Sequence, residues 1–351
     1  MNASNDTTAY RIVDANLNRC LEGLRVVEDH VRFALEDQHL ASECKRLRHD
    51  VVESLCALDT RRLHAARDAA HDVGTRVSAA DEYARASVQA VAVANWSRVR
   101  QAMRSLEEYV KVIAPRAAPA LESLRYRAYQ LERAVTTLHR GLELLARARL
   151  YVLLDGRPSV DEFLQLAGAL IEGGAELLQL RDKTLEDRLL LERARLLRDV
   201  TRNRGVLFIV NDRVDVALLS GADGVHVGQR EVTVKDARRL LGTDALIGVS
   251  THCLEQARQA VLDGADYLGC GPTFPSMTKQ FHEFSGLEFL REVHREIRLP
   301  AFAIGGIDRH NVDQVRATGF SRIAVGHGIV SAGDPRGESR RLRAALPTDG
   351  L

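Results

Sequence analysis

The chain has 351 residues, and its 28% of charged residues nearly cancel to a formal net charge of +1. This length accommodates two domains, or one large barrel with an extension. A net charge this close to zero excludes a general binder of nucleic acid or of membrane surfaces. The start of the chain lacks an apolar core and a basic flank, and no stretch approaches a membrane span, so we expect a cytoplasmic protein. Five cysteines without CxxC spacing argue against a disulfide framework and a zinc site.

The first part of the chain is predicted to be all-α. Up to residue 148 glycine is sparse and apolar residues recur at helical spacing. This region also contains a repeat, in which residues recur 79 positions further on. Repeated positions include Asn16 and Asn95, Arg19 and Arg98, Arg25 and Arg104, Glu28 and Glu107, Arg46 and Arg125, and Arg48 and Arg127. The repeat indicates a duplicated helical hairpin, and hence a bundle-like domain over 1–148, with chance similarity between Arg/Glu-rich helices as the alternative.

From residue 149 short β-branched runs alternate with helical stretches and glycine-rich turns. Eight strands are predicted, near 149–155, 177–183, 206–212, 224–228, 245–251, 267–272, 300–306 and 322–329. Eight β-α units in roughly 200 residues favour an α/β fold of the (β/α)8 (TIM) barrel type over 149–351, rather than a doubly wound sheet. Chemistry is then expected at the carboxyl ends of the strands.

A polar fork ends the second predicted strand. Strand alternation places Gln179, Arg181 and Lys183 on one face. An amide, a guanidinium and an ammonium together offer hydrogen-bond donors and two positive charges, which suits a polyanion. The alternative is a surface strand end whose charges are simply solvated.

Two acidic residues follow the next two strands. Asn211 and Asp212 end the third strand, and Glu231 follows the fourth. Two carboxylates on neighbouring strand ends can hold Mg²⁺, which usually completes its octahedron with substrate phosphate and water. As an isolated pair these acids would be structural, but beside the polar fork they favour a metal site.

The remaining strand ends supply hydroxyls, a lysine and glycines. Ser250 ends the fifth strand, and the loop after the sixth contains Ser276, Thr278 and Lys279, which could close over the barrel mouth. Gly306 and the turn at 326–327 follow strands seven and eight, where such barrels usually bind a monophosphate.

These motifs resemble those of the thiamin phosphate synthases. QLRDK, NDR, GADGVHVGQ, GVSTH, GPTFPSMTK and IGGI occur in order, and the resemblance covers 149–345. Members of that family couple a hydroxymethylpyrimidine diphosphate to a thiazole phosphate, releasing pyrophosphate and forming thiamin phosphate. The resemblance implies a pyrimidine diphosphate site made of Gln179, Arg181, Lys183, Asn211, Ser250 and Lys279, a lid that includes Ser276 and Thr278, a Mg²⁺ site at Asp212 and Glu231, and a thiazole phosphate site at Gly306, Gly326 and His327.

The implied chemistry needs no protein nucleophile. Pyrophosphate leaves once its growing charge is neutralised, so Arg181, Lys183 and Lys279 are expected to be catalytic together with Mg²⁺. Two positions depart from the family, which usually has Asp at the position of Glu231 and commonly Ser at that of His327. A rival within the fold is a thiazole tautomerase-like barrel without coupling activity, but the retained lysines and acids favour the synthase.

The N-terminal signature resembles a helical domain that is fused to some of these synthases. Its residues include Asp14–Arg19 and Glu22–Arg25, with Lys45, Arg48 and His49 further on. The resemblance implies a hydroxymethylpyrimidine phosphate kinase, whereas the lack of a P-loop in 1–148 argues against a conventional ATP site. An interhelical Arg–Glu network, with Arg19 and Arg98 as equivalent members, is the structural alternative.

The expected partners are therefore small-molecule substrates, with neither nucleic acid nor membrane among them. The oligomeric state stays open, and a homo-oligomer is one option. Because every residue assigned to coupling follows residue 149, an isolated 149–351 fragment is expected to fold and to retain that activity.

Overall fold

A computed structural model of the chain describes residues 3–68, 84–275 and 284–347. They form two units that divide between Val135 and Thr136. The predicted lid residues Ser276, Thr278 and Lys279 lie outside the described residues. In the part of the chain described here, no helix has the length and apolar character needed to cross a membrane.

The first unit is helical, as predicted. Asp37 caps the second helix by accepting a hydrogen bond from the Leu40 amide at 2.8 Å, and Ser87 caps the fourth by accepting one from Ala90 at 3.1 Å. The described helices are α1 Ala3–Phe33, α2 Gln38–Ser54, α3 Thr60–Ala66, α4 Val88–Ile113 and α5 Ala118–Leu144.

The predicted repeat is visible in α1 and α4. The side chain of Asn16 donates to the carbonyl of Ile12 at 2.9 Å, and Asn95 donates in the same way to Val91 at 2.8 Å. The two helices approach closely at Gly23, where a Cβ atom would lie 2.8 Å from a methyl carbon of Val99. A glycine is therefore required for this helix pair to pack.

The register of the repeat differs in the second helix of each hairpin. Buried Glu107 pairs with Arg125 at 2.6 Å, and buried Glu28 pairs with Arg48 at 3.1 Å. Arg125 therefore corresponds to Arg48, and the equivalence predicted with Arg46 is wrong. The two connections, 34–37 and 114–117, have equal length, but the acid and its arginine are 18 positions apart in the second hairpin and 20 in the first. The paired arginine therefore lies closer to the start of α5 than its counterpart lies to the start of α2.

The prediction that Arg19 and Arg98 belong to a buried Arg–Glu network is also wrong. Both side chains are exposed, so neither belongs to a buried network. Besides these pairs between helices, Glu28 and Glu107 also pair within their own helices with Arg25 and Arg104, at 3.2 and 2.7 Å. These arginines lie three residues before their acids, which places the two side chains on one helical face.

The second unit is a closed barrel of eight parallel strands, which confirms the predicted fold. Strand order follows chain order, and β1 pairs with β8 to close the barrel. The strands are β1 Leu150–Leu154, β2 Leu177–Leu180, β3 Leu207–Asn211, β4 Gly224–Val227, β5 Leu246–Thr251, β6 Tyr267–Cys270, β7 Ala301–Ile304 and β8 Ile323–Val325. The helices are α6 Val160–Glu172, α7 Asp187–Thr201, α8 Val214–Ser220, α9 Val234–Leu241, α10 Leu254–Asp263, α11 Gly286–Glu296, α12 Val312–Arg316, α13 His327–Val330 and α14 Pro335–Ala345.

The end of α5 belongs to this second unit, and the segment that follows it closes the amino-terminal end of the barrel. Leu145 and Ala148 are buried in the barrel core beside Leu177 and Leu246, the first residues of β2 and β5. The division at residue 135 thus falls inside α5. The boundary predicted at 148/149, directly before β1, remains a prediction.

Candidate functional site

A cavity of about 870 Å³ opens at the carboxyl ends of the barrel strands. The fold brings the predicted site residues together here, because parallel strands end at one rim. Every predicted site residue that the structure describes lines this cavity: Gln179, Arg181, Lys183, Asn211, Asp212, Glu231, Ser250, Gly306, Gly326 and His327.

The fork after β2 runs from the floor of the cavity to its rim. Gln179 lies within β2, is 2% exposed, and donates a hydrogen bond to the hydroxyl of Tyr151. Arg181 follows the strand and is half-buried, and its amide donates to the carbonyl of Leu154 at 2.9 Å. The side chain of Lys183 is 56% exposed. The fork thus places one buried amide and two accessible positive charges along one wall.

Lys183 and Asp212 meet across adjacent loops. The ammonium lies 3.1 Å from the carboxylate. Asp212 has a left-handed backbone, with φ of 61°, and its amide donates to the carbonyl of His226 at 2.8 Å. A non-glycine residue in this conformation costs about 1–3 kcal/mol, and such residues cluster at functional sites. The chain therefore holds this carboxylate at the cavity at some cost in stability.

The second acid, Glu231, bends back over the preceding turn. Its carboxylate accepts a hydrogen bond from the Arg230 amide at 3.2 Å, and a Cβ atom at Gly228 would lie 2.3 Å from one of its oxygens. Among the described residues there is no group of three or more His, Cys, Asp or Glu arranged to hold a metal. Two cavity-facing carboxylates still fit Mg²⁺, which relies on few protein ligands and on substrate phosphate.

A buried series of hydrogen bonds crosses the floor of the cavity, and none of the sequence motifs predicted it. The hydroxyls of Tyr151 and Tyr267 lie 3.0 Å apart, and Tyr267 lies 3.3 Å from Nδ1 of His226. The other ring nitrogen, Nε2, lies 2.9 Å from the hydroxyl of Ser250. Since Tyr151 also accepts a hydrogen bond from Gln179, this series of hydrogen bonds joins two predicted substrate-binding residues, Gln179 and Ser250.

This series of hydrogen bonds is uncharged at neutral pH. Burial lowers the pKa of His226 to about 4, although the nearby carboxylate of Asp212 acts in the opposite direction. Burial also raises the pKa of Tyr151 and of Tyr267 above their usual values. His226 lies within β4, and residues along a barrel strand alternate between the interior and the exterior. This alternation is the sequence signal that could have placed His226 in the interior.

We expect replacement of His226 by glutamine to flatten the dependence of stability on pH. A histidine held neutral when folded stabilises the protein above its unfolded pKa of about 6.5, and this contribution declines as pH falls toward 4. Between pH 7 and 5 the parent should lose about 2 kcal/mol more of its unfolding free energy than the variant. Urea unfolding followed at both pH values measures the difference, and parallel losses would contradict a neutral buried His226.

Glycines form a second wall of the cavity, after β7 and β8. Gly305 and Gly306 have positive φ of 102° and 63°, and the side chain of Asn311 donates to the carbonyl of Gly306 at 2.7 Å. A Cβ atom at Gly306 would lie 2.4 Å from the carbonyl oxygen of Pro275. This wall therefore tolerates no side chain at position 306 and presents backbone to the cavity.

The position that departs from the expected serine is His327, the first residue of α13. Its ring nitrogen Nδ1 lies 2.9 Å from the hydroxyl of Ser331, and both residues line the cavity. The serine hydroxyl four residues later thus orients the imidazole at the cavity rim.

Comparisons with known proteins agree with this architecture. The family model described as thiamine monophosphate synthase matches residues 150–329, and the ThiD2 family model matches residues 11–134. Thiamine-phosphate synthase from Gloeobacter violaceus is 46% identical over 333 residues, which cover 94% of each protein. The protein of the same name from Rhodopirellula baltica is 43% identical, over 93% of this chain and 89% of its own length.

A solved structure resembles the barrel unit. Thiamine phosphate pyrophosphorylase from Pyrococcus furiosus is 37% identical and superimposes with a TM-score of 0.51, covering 56% of this chain and 95% of its own. The relatives that match over almost the whole chain include the helical region as well as the barrel. The chain therefore belongs to the thiamine-phosphate synthase family, with a ThiD2 domain before its barrel.

Proposed function

We propose that the cavity at the strand ends is the place where this transferase couples its pyrimidine and thiazole substrates in thiamin biosynthesis. The observation that carries this proposal is the contact between Lys183 and Asp212, 3.1 Å apart beside Arg181. Cations and a carboxylate on one rim can receive a diphosphate and its counter-ion together. A monophosphate site alone would need neither the fork nor the acids.

The pyrimidine diphosphate lies along the fork. Its diphosphate receives hydrogen bonds and charge neutralisation from Arg181 and Lys183, with Asn211 and Ser250 as further donors. Asp212 and Glu231 hold Mg²⁺, which when bound neutralises part of the diphosphate charge. Gln179, fixed by Tyr151, contacts the pyrimidine end at the buried floor.

In the reaction the bond between the pyrimidine methylene carbon and the diphosphate oxygen breaks, and its electron pair leaves with pyrophosphate. The thiazole nitrogen then donates its lone pair to that carbon, giving thiamin phosphate. Arg181 and Lys183 favour the transition state because the negative charge that they face grows as the bond breaks. The similar role proposed for Lys279, under a lid with Ser276 and Thr278, concerns positions outside the described residues.

The thiazole phosphate binds at the glycine wall. Gly306 and Gly326 allow close approach to the backbone, and His327 offers an imidazole that Ser331 orients. Phosphate groups at the loops after strands seven and eight are common in barrels of this class. The two substrates thus bind at two different walls, and their reacting atoms meet above the hydrogen-bonded floor.

The test is a coupling assay with the full chain, the pyrimidine diphosphate, the thiazole phosphate and Mg²⁺. Formation of thiamin phosphate with an equal amount of pyrophosphate is expected, whereas a tautomerase-like barrel would release no pyrophosphate. Repeating the assay with the pyrimidine monophosphate and ATP tests the kinase role that the ThiD2 match suggests for the helical unit. A cytoplasmic location and a homo-oligomer stay predictions.

Substitutions of Glu231 test the metal site. If Glu231 is a ligand, Glu231→Asp should keep activity near the parent level, because a carboxylate remains on a turn where the family usually has Asp. Glu231→Ala should require a higher Mg²⁺ concentration for half-maximal activity, by about tenfold. Titration of activity with Mg²⁺ measures both variants, and an unchanged Mg²⁺ dependence in Glu231→Ala would remove this acid from the metal site.

A further inference from the structure

The loop that joins β1 to α6, residues 155–159, lies between the two walls of the cavity. No residue of this loop has a proposed substrate contact, although Asp155 lines the cavity. The loop is nevertheless bonded on both sides to segments that carry substrate-binding residues.

On one side the loop is held by Asp182, the residue between the two cations of the fork. One carboxylate oxygen accepts hydrogen bonds from the amide and hydroxyl of Thr184 at 2.8 and 2.7 Å, and from the Leu185 amide at 3.0 Å. The other accepts one from the Gly156 amide at 3.1 Å. Burial raises the pKa of Asp182, but these hydrogen bonds outweigh that effect and lower it overall.

The loop also contacts the segment after β2 through Gly156. The guanidinium of buried Arg193, in α7, donates to the carbonyl of Gly156 at 2.9 Å. A Cβ atom at Gly156 would lie 2.1 Å from a methyl carbon of Leu185. Both backbone polar groups of Gly156 are therefore bonded to the segment that follows β2, and the side chain of Leu185 packs directly against this glycine.

On the other side the loop is held by Arg157. This residue has a left-handed backbone, with φ of 50°, and its guanidinium lies 3.2 Å from the carboxylate of Asp155. The same guanidinium donates to the carbonyl of Val330, the last residue of α13. That helix begins at His327, so Arg157 reaches the segment proposed to bind the thiazole phosphate.

We infer that Asp182 and Arg157 are positioning residues that join the diphosphate wall to the thiazole phosphate wall through the loop 155–159. The inference rests on the proposed function for the identity of the two ligands. A ligand that orders the segment at Arg181 and Lys183 also orders the loop, and through Arg157 the segment at His327. Binding at one wall then reduces the ordering cost at the other, which makes the two binding events cooperative.

The experiment is titration calorimetry with the full chain, using thiazole phosphate and Mg²⁺ with inorganic pyrophosphate as the two probes. In the parent each probe should raise the affinity for the other by about 5-fold or more. In Arg157→Ala this factor should fall below about 2-fold, while each probe alone binds within about 3-fold of the parent. Asp182→Asn should also lower the factor, since an amide cannot accept all four hydrogen bonds. Arg316→Ala, which removes only a surface pair with Asp313, is the matched control.

The outcomes separate the inference from the proposed function. If the parent binds both probes without cooperativity, the inferred coupling between the walls is overturned and the site assignment stays intact. The same conclusion follows if both variants keep the affinity increase that the parent shows. A parent that binds neither probe would overturn the proposed ligands themselves. Equal unfolding midpoints of the parent and Arg157→Ala would show that the lost cooperativity is not a loss of folded protein.

Discussion

Replacement of Lys183 by alanine is expected to lower turnover by on the order of 100-fold or more, as for loss of one preorganised electrostatic donor. The ammonium lies beside Asp212 at the cavity rim and faces the charge that grows as pyrophosphate leaves. It is also 56% exposed, so its removal should cost little stability. The effect should therefore fall mainly on kcat.

Asp212 should be tested as asparagine, because the left-handed backbone at this position disfavours alanine. Asparagine tolerates that conformation and removes only the charge. We expect Asp212→Asn to lower kcat to a similar degree and to raise the Mg²⁺ concentration needed for half-maximal activity. The two variants thus separate the cation of the fork from the carboxylate of the metal site.

Steady-state kinetics with a pyrophosphate-release assay measure these effects. Lys235→Ala is the matched control, since Lys235 is an exposed lysine on α9 that does not line the cavity. A folded Lys183→Ala enzyme with the kinetic constants of the parent would contradict the assignment of Lys183 to the diphosphate site.

The sequence was sufficient to identify the strand ends of the barrel. Gln179 and Asn211 lie at the carboxyl ends of apolar strands, and polar residues in such positions identify the functional rim of a barrel without knowledge of its closure. Gly306 was identifiable for a similar reason, since consecutive glycines after an apolar strand mark a backbone wall.

The floor of the cavity required the three-dimensional structure. The contact between Tyr151 and Tyr267 joins residues 116 positions apart and depends on how β1 and β6 face each other across the barrel. A tyrosine in an apolar strand looks like any other core residue in the sequence. Only the closed barrel shows that its hydroxyl meets a second tyrosine and, through it, His226.

The Arg–Glu pairs of the helical unit show a related limit. Sequence offset predicted that Arg46 corresponds to Arg125, but the buried acid Glu28 selects Arg48. The arginine that pairs with the buried acid lies closer to the start of α5 than its counterpart lies to the start of α2, so the offset of 79 does not hold for this pair. An offset that holds in one helix of a repeat therefore does not extend automatically to the next.

The barrel fragment expected to fold starts at Thr136, and starting it at residue 149 should be strongly destabilising. Leu145 and Ala148 are buried in the barrel core, so truncation before β1 would open a cavity at its amino-terminal end. Removal of one buried leucine side chain alone costs about 2–5 kcal/mol. We propose 136–351, rather than 149–351, as the autonomous catalytic unit.

Polar contacts at this end of the barrel add to the expected loss. Arg140 lies 3.2 Å from the buried carboxylate of Asp266, and Arg322 donates to the carbonyl of Ala148 at 3.1 Å. Burial, and to a lesser degree nearby Arg149, lower the pKa of Arg322 to about 10, so this guanidinium depends on its carbonyl partners. Truncation at 149 would remove them, and a half-buried charge that loses its partners adds to the destabilisation.

Thermal unfolding and coupling activity of the two fragments measure the difference. The 136–351 fragment should fold and form thiamin phosphate from the preformed diphosphate, whereas 149–351 should unfold at a much lower temperature or aggregate. The unfolding temperature of Leu145→Ala in the longer fragment should lie between those of the two fragments. This substitution removes part of the apolar packing at the end of the barrel but keeps the ion pair of Arg140 with Asp266. Equal midpoints for both fragments would show that the end of α5 is dispensable, and a folded but inactive 136–351 fragment would mean that the helical unit contributes to coupling.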